Sequence, residues 1–182
     1  MAISPPESKI WWNDPVEKSE VVWVSIALTW ALIMFFMMPL WHMVGSQNMS
    51  NEAYRISPDK YWDKAEAFAA KYKVGEENGV PVVAPPPGSD VYIVARKWDW
   101  YPVLKLEKGQ KYRVHMSSMD WMHGFSLQPA NINLQVHPGI EMVVTLTPTW
   151  TTPDNIFGIV CNEFCGDGHH MMLGRLYVTD KK

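Results

Sequence analysis

Cys161, Cys165, His169 and Met172 fall within twelve residues, in the run C-N-E-F-C-G-D-G-H-H-M-M. Thiolate, imidazole and thioether are soft donors, and this mixture favours copper over zinc, iron or the hard cations. A single blue-copper ion needs one Cys followed closely by a His and a weakly bound Met, and Cys165, His169 and Met172 supply that set. Cys161 is then a second thiolate four positions upstream, for which a one-ion site has no use. Two thiolates can instead bridge two copper ions, and a second imidazole must then come from elsewhere. His123, in D-W-M-H-G-F-S behind a strand-like segment, is the leading candidate.

Two plainer chemistries use the same residues. An oxidising compartment would allow Cys161 and Cys165 to form a disulfide, although closing so small a loop constrains the unfolded chain little. The two Cys and two His also make a structural zinc set, which leaves Met172 without a role. His42, His115, His137 and His170 lack a partner pattern and read as structural or surface histidines.

Ligands of this kind need a rigid frame. From Val91 onward the chain shows short runs of β-branched and aromatic residues between turn signals, the texture of an all-β sandwich or barrel. Strands are expected at Val91 to Arg96, Lys111 to Met116, Glu141 to Thr147, Ile156 to Val160 and Leu173 to Thr179, with turns at Gly109-Gln110 and Pro138-Gly139. Upstream, Ser57 to Lys73 begins with a Ser cap and Pro58, and Tyr61, Ala65, Phe68 and Tyr72 recur at helical spacing. This predicts a short amphipathic helix packed on its own domain. Gly75 to Asp90 is rich in Gly and Pro and reads as a linker.

A second strong signal lies near the N-terminus. No residue from Val21 to Asn51 is charged, counting His42 as neutral, and Val21 to Val44 is long and apolar enough for one bilayer crossing. The segment before it carries acidic as well as basic residues, the apolar run is too long for a signal peptide, and no small-x-small cleavage pattern follows, so it reads as a retained anchor. Trp11, Trp12, Trp23, Trp30 and Trp41 lie in or near it, where indoles sit at headgroup level. Pro39 is expected to kink the helix or mark its end. A slight excess of Lys before the span places the N-terminus inside and the large domain outside. The expected organisation is an N-terminal segment (1–20), a transmembrane helix (21–44), a short helix and linker (45–90) and a metal-bearing β domain (91–182). A net charge of −3 suggests no nucleic-acid partner.

The motif C-x-E-x-C-G-x-G-H-x-x-M, with H-G-F, N-I-N and H-P-G between His123 and Gly139, resembles subunit II of the haem-copper oxidases, in its ba-type branch. That resemblance implies a cupredoxin fold, a Greek-key β-sandwich, and a dinuclear copper centre of the CuA type. It places bridging roles on Cys161 and Cys165, one imidazole ligand each on His123 and His169, and the remaining two ligands on Met172 and the backbone carbonyl of Glu163. In some members the corresponding carboxylate helps bind magnesium at the boundary with the catalytic subunit. Lys97-Trp98-Asp99-Trp100-Tyr101 resembles the family's aromatic region, which takes electrons from cytochrome c; Trp98 matches the receiving position, and Asp99 between the two Trp leaves Trp100 as the other choice.

The implied function is an electron-transfer subunit of a respiratory terminal oxidase in the cell (inner) membrane. It would accept electrons from cytochrome c on the outer, periplasmic side and pass them to haem in subunit I, where oxygen is reduced. The copper subunit of a nitric oxide reductase and an anchored copper-delivery protein remain alternatives. Between Arg113 and Arg175 there is no Lys or Arg, while Asp120, Glu141, Asp154, Glu163 and Asp167 lie there. This predicts an acidic face that steers a basic donor in a salt-dependent way.

Overall fold

The computed structural model describes residues 15–45, 52–149 and 152–180. Trp11, Trp12, Trp150 and most of the expected N-terminal segment lie outside the described residues. The chain forms two compact units, residues 1–47 and 48–182.

The described part of the first unit is one helix, α1 (Lys18–Val44), long and apolar enough to cross a membrane. Its 27 residues span roughly 40 Å at about 1.5 Å per residue. All of its side chains are exposed, and its charged residues, Lys18 and Glu20, sit in the first turn. Ser25 and Thr29 turn their hydroxyls back onto the carbonyls of Val21 (2.7 Å) and Ser25 (2.8 Å). No hydroxyl on this face therefore needs water. The helix continues five residues past Pro39, so Pro39 does not end it.

The second unit is a β-sandwich with one helix. Its elements are β1 (Glu52–Arg55), α2 (Pro58–Tyr72), β2 (Lys73–Glu77), β3 (Val80–Val83), β4 (Asp90–Arg96), β5 (Asp99–Tyr101), β6 (Val103–Glu107), β7 (Tyr112–Ser118), β8 (His123–Gln128), β9 (Ile132–Val136), β10 (Ile140–Leu146), β11 (Ile156–Val160) and β12 (Leu173–Thr179). One sheet runs β1-β10-β7-β4-β5 and the other β2-β3-β6-β12-β11-β8-β9. Neighbours are antiparallel except β4 with β7, β6 with β12 and β3 with β6. Alternating residues of both sheets, including Ile93, Met116 and Val144 from one and Leu104, Phe125, Phe157 and Leu176 from the other, form one buried core. The unit is a mainly β, cupredoxin-like sandwich, and the five strands expected from sequence lie where the pattern placed them to within two residues.

Helix α2 buries Tyr61, Ala65, Phe68 and Ala69, and the Tyr61 hydroxyl donates to the Ile93 carbonyl (3.0 Å). Tyr72 packs at the core margin.

The expected linker is corrected. Its first half is a hairpin, β2 and β3, joined to the larger sheet through β6. Asn78 (φ 51°) and Gly79 (φ 79°) form the tight connection, and two consecutive positive φ values at Asn-Gly are the hairpin turn that matches strand twist. The strand content is hidden in the sequence by the Pro and Gly around it.

The expected acidic face is corrected in part. Glu141 is buried on β10, where His115 Nδ1 lies 2.6 Å from one oxygen and Lys64 Nζ, on α2, 3.1 Å from the other. His115 is itself buried, 3.3 Å from Asp90 and stacked on Tyr92 at 4.8 Å. Glu141 therefore ties helix to sheet and adds nothing to a surface potential.

Candidate metal centre

Two loops at one end of the sandwich carry the chemistry. Strand β7 runs out at Ser118, the chain turns through Met119 to Met122, and β8 begins at His123. The second loop leaves β11 after Val160, makes a short 3-10 turn at His169–Met171 and rejoins the sheet as β12. Because β8 and β12 flank β11, both loops open at the same edge.

The second loop is pinned at both ends. The Cys161 amide donates to the Met172 carbonyl (3.2 Å), the Asn162 amide to the Gly124 carbonyl (3.4 Å), and Asn162 Nδ2 to Asn133 Oδ1 (3.0 Å) on β9. A side chain at position 124 could not fit, since its Cβ would meet Asn162 Oδ1 at 2.0 Å and the Glu163 backbone nitrogen at 2.8 Å. Glycine after His123 is what lets the two loops close on each other.

Around the two sulfurs the donors form a chain of near-equal spacings. Cys161 Sγ lies 3.7 Å from Cys165 Sγ, 3.9 Å from His123 Nδ1 and 3.3 Å from the Glu163 carbonyl oxygen. Cys165 Sγ lies 3.6 Å from His169 Nδ1 and 3.8 Å from Met172 Sδ. His123, Cys161, Cys165 and Met172 are all buried, and His169 is partly exposed. The cysteines are free thiols.

This donor set suits a metal. Two sulfurs each about 2.3 Å from one ion at a tetrahedral angle stand about 3.8 Å apart, close to the separation present, whereas a disulfide would need about 2.05 Å. The donors divide between the sulfurs, with His123 and the Glu163 carbonyl on Cys161, and His169 and Met172 on Cys165. Thioether and thiolate together favour copper. Burial, then the hydrogen bond with Cys161, pushes the Cys165 thiol up to about 11, so binding a metal there must expel a proton.

The two aromatic candidates separate clearly. Trp98 lies in the turn between β4 and β5, outside the strand pleat. Its ring is 38% exposed and its Nε1–H donates to the Cys165 carbonyl (3.2 Å). Trp100, on β5, is buried edge-on against His123 (6.4 Å) and Phe125 (5.4 Å). Asp99 faces the other way and is paired with Arg96 (2.6 Å).

The Glu163 carboxylate is partly buried and accepts from Gln135 Nε2 (3.0 Å). His170 is partly exposed and His137 contacts Gln135 at 3.3 Å; neither joins the donor cluster. Exposed apolar side chains surround the loop instead: Trp121, Phe164, Met171 and Leu173.

Sequence reading overlooked Asp120. Its Oδ1 lies 2.7 Å from His123 Nε2, and the pair is recognisable as an acid three residues before a ligand histidine. Burial raises the Asp120 carboxyl, but hydrogen bonds from His123 and from the amides of Trp121 and Lys97 outweigh it and hold the group below its ordinary range.

No family model matches the chain. It is similar to cytochrome c oxidase subunit 2 of Thermus thermophilus, at 33% identity over 91 residues, which is 50% of this chain and 65% of that relative. A subunit 2 from a second strain of Thermus thermophilus is also 33% identical over 91 residues and is matched over 52% of its length. Part of each relative's length therefore has no counterpart in the match. Among solved structures, a chain of a haem-copper terminal oxidase dimer determined by cryo-EM aligns with a TM-score of 0.56 at 19% identity, covering 89% of this chain and 100% of that one. The chain is thus similar in sequence to cytochrome c oxidase subunit 2 over half its length, and over most of its length it shares the fold of a haem-copper oxidase chain.

Proposed function

We propose that this chain is the electron-transfer subunit of a respiratory terminal oxidase, holding a dinuclear copper centre of the CuA type. The observation that carries the reading is the division of donors around the two sulfurs: each cysteine has its own imidazole and one further weak donor within 3.9 Å, while the sulfurs face each other at 3.7 Å. A single ion would leave half of these donors without a purpose. Two copper ions held there would supply a one-electron store whose charge is spread over both metals.

The protein's part is to keep that store rigid and dry. His123 is fixed at the start of a central strand, Met172 is fully buried, and both ends of the cysteine loop are tied to β8, β9 and β12. Little can move when charge arrives, which favours fast transfer. Trp98 connects solvent to the loop, since its partly exposed ring is bonded to the Cys165 carbonyl. Trp98 therefore receives the electron, and Trp100 serves as packing for His123.

Helix α1 anchors the chain in the inner membrane in a single pass, with the sandwich on the periplasmic side. Electrons come from cytochrome c and leave for haem in subunit I, where oxygen is reduced. The Glu163 carboxylate, beside Gln135, is the group that would meet a magnesium ion at that subunit boundary. The rim of Trp121, Phe164, Met171 and Leu173 is apolar, so partner docking here rests on contact area more than on charge steering.

Metal analysis with electron paramagnetic resonance on the full chain in detergent tests the proposal. The expected result is two coppers per chain sharing one unpaired electron. Stoichiometric zinc, or a cystine in a colourless native protein, would overturn it.

A further inference from the structure

We propose that Asp120 is a two-ended positioning residue, one carboxylate that fixes both the His123 ring and the turn carrying Trp98. The inference rests on the copper reading above and deepens it.

Four groups converge on this carboxylate. Oδ1 takes His123 Nε2 (2.7 Å), the Trp121 amide (2.7 Å) and, more weakly, the Ser118 hydroxyl (3.4 Å). Oδ2 takes the Lys97 amide (2.7 Å). An ionised carboxylate only accepts, so Nε2 must carry the ring proton, which leaves the Nδ1 lone pair for the sulfur cluster. Orientation of a ligand imidazole through its far nitrogen is a general means of fixing a metal site.

The other oxygen does different work. Lys97 immediately precedes Trp98, and its amide is the anchor of the turn between β4 and β5. Lys97 Nζ lies 4.7 Å above the exposed ring of Trp121, closing the same knot from outside. From Asp120 outward, one branch runs to a buried ligand and the other to the indole bonded at Cys165. An asparagine there offers one acceptor oxygen, not two, and can hold only one branch fully.

The test uses the full chain in detergent, as wild type, Asp120→Asn, and Asp154→Asn as a control that removes the same charge from an exposed loop. In the metal-free reduced protein, nitrogen NMR should show His123 as a single Nε2–H tautomer in wild type and as a mixture in Asp120→Asn. Hydrogen exchange at the Trp98 indole should be at least tenfold faster in that variant. In copper-loaded protein the reduction potential should rise in Asp120→Asn and stay near wild type in Asp154→Asn. An unchanged tautomer or an unchanged Trp98 exchange rate would overturn the two-ended role. Should Asp120→Asn not fold, Asp120→Glu replaces it, because the added methylene displaces both oxygens and should move both signals; still signals would overturn the proposal equally. Loss of copper binding in wild type would instead sink the copper reading, while the metal-free measurements still decide the role of Asp120.

Discussion

Replacing Gly168 by alanine tests whether Trp98 is held in place by the cysteine loop. The added Cβ would stand 2.2 Å from Trp98 Cδ2, 2.4 Å from Cε3 and 2.7 Å from Cγ. These atoms belong to a rigid ring, so the indole must leave as a body or the loop must retreat. Gly168 has φ −88° and ψ 7°, which alanine tolerates, so the cost is steric and not conformational. Trp98 is 38% exposed. About three-fifths of a side chain of roughly 250 Å² is then covered, and about 150 Å² at about 25 cal/mol/Å² sets a ceiling near 4 kcal/mol. Loss of the bond to the Cys165 carbonyl adds about 1 kcal/mol. Partial relaxation brings the expected loss to about 2–4 kcal/mol, a fall in Tm of roughly 10 °C. Near-ultraviolet circular dichroism of the metal-free chain reads the Tm, and stopped-flow mixing with reduced cytochrome c reads a slower reduction of the copper-loaded form. Gly158→Ala is the control, since nothing lies within 4 Å of its added Cβ. A Gly168→Ala protein with wild-type Tm and wild-type reduction rate would refute the seating of Trp98 and its role together.

Three further outcomes are expected. Cys161→Ser should abolish the paired-copper resonance, and Met172→Leu, a volume-conserving change at a fully buried site, should cost less than about 1.5 kcal/mol while shifting the reduction potential; an unchanged resonance in the serine variant removes Cys161 from the centre. Because burial and the bond with Cys161 raise the Cys165 thiol from 9.0 to about 11, the folded metal-free chain keeps a proton that the unfolded chain has lost. Its stability should be present below pH 9 and decline as pH rises towards 11, relative to the copper-loaded form, in which the thiolate is already ligated; equal denaturation midpoints for both forms across that window contradict it. His115→Ala leaves the buried Glu141 carboxylate with Lys64 alone and should cost about 3 kcal/mol, read by denaturant titration, with a loss under about 1 kcal/mol showing that water replaces the imidazole.

The cysteine loop is legible because its donors are close in sequence: Cys161, Cys165, His169 and Met172 announce their chemistry by spacing alone. Strands with β-branched alternation, such as Ile140–Leu146 and Leu173–Thr179, are legible for the same local reason. What escapes is whatever depends on register between distant strands. β8, H-G-F-S-L-Q, carries a glycine forced by the neighbouring loop and lacks the periodic pattern of a strand. Asp120 meets the Lys97 amide only because β4 lies parallel to β7 with Ala95 opposite Ser118. His115 meets Glu141 across β7 and β10, and Lys64 joins them from a helix 77 residues away in sequence. A slip of one residue between β4 and β7 would turn alternate side chains to the opposite face. It would also carry Lys97 and Trp98 away from Asp120 and Cys165. The metal ligands can therefore be found in the sequence, but the path by which charge reaches them is set by strand pairing. Substitutions that disturb the β4–β7 pairing should slow electron intake even when copper remains bound.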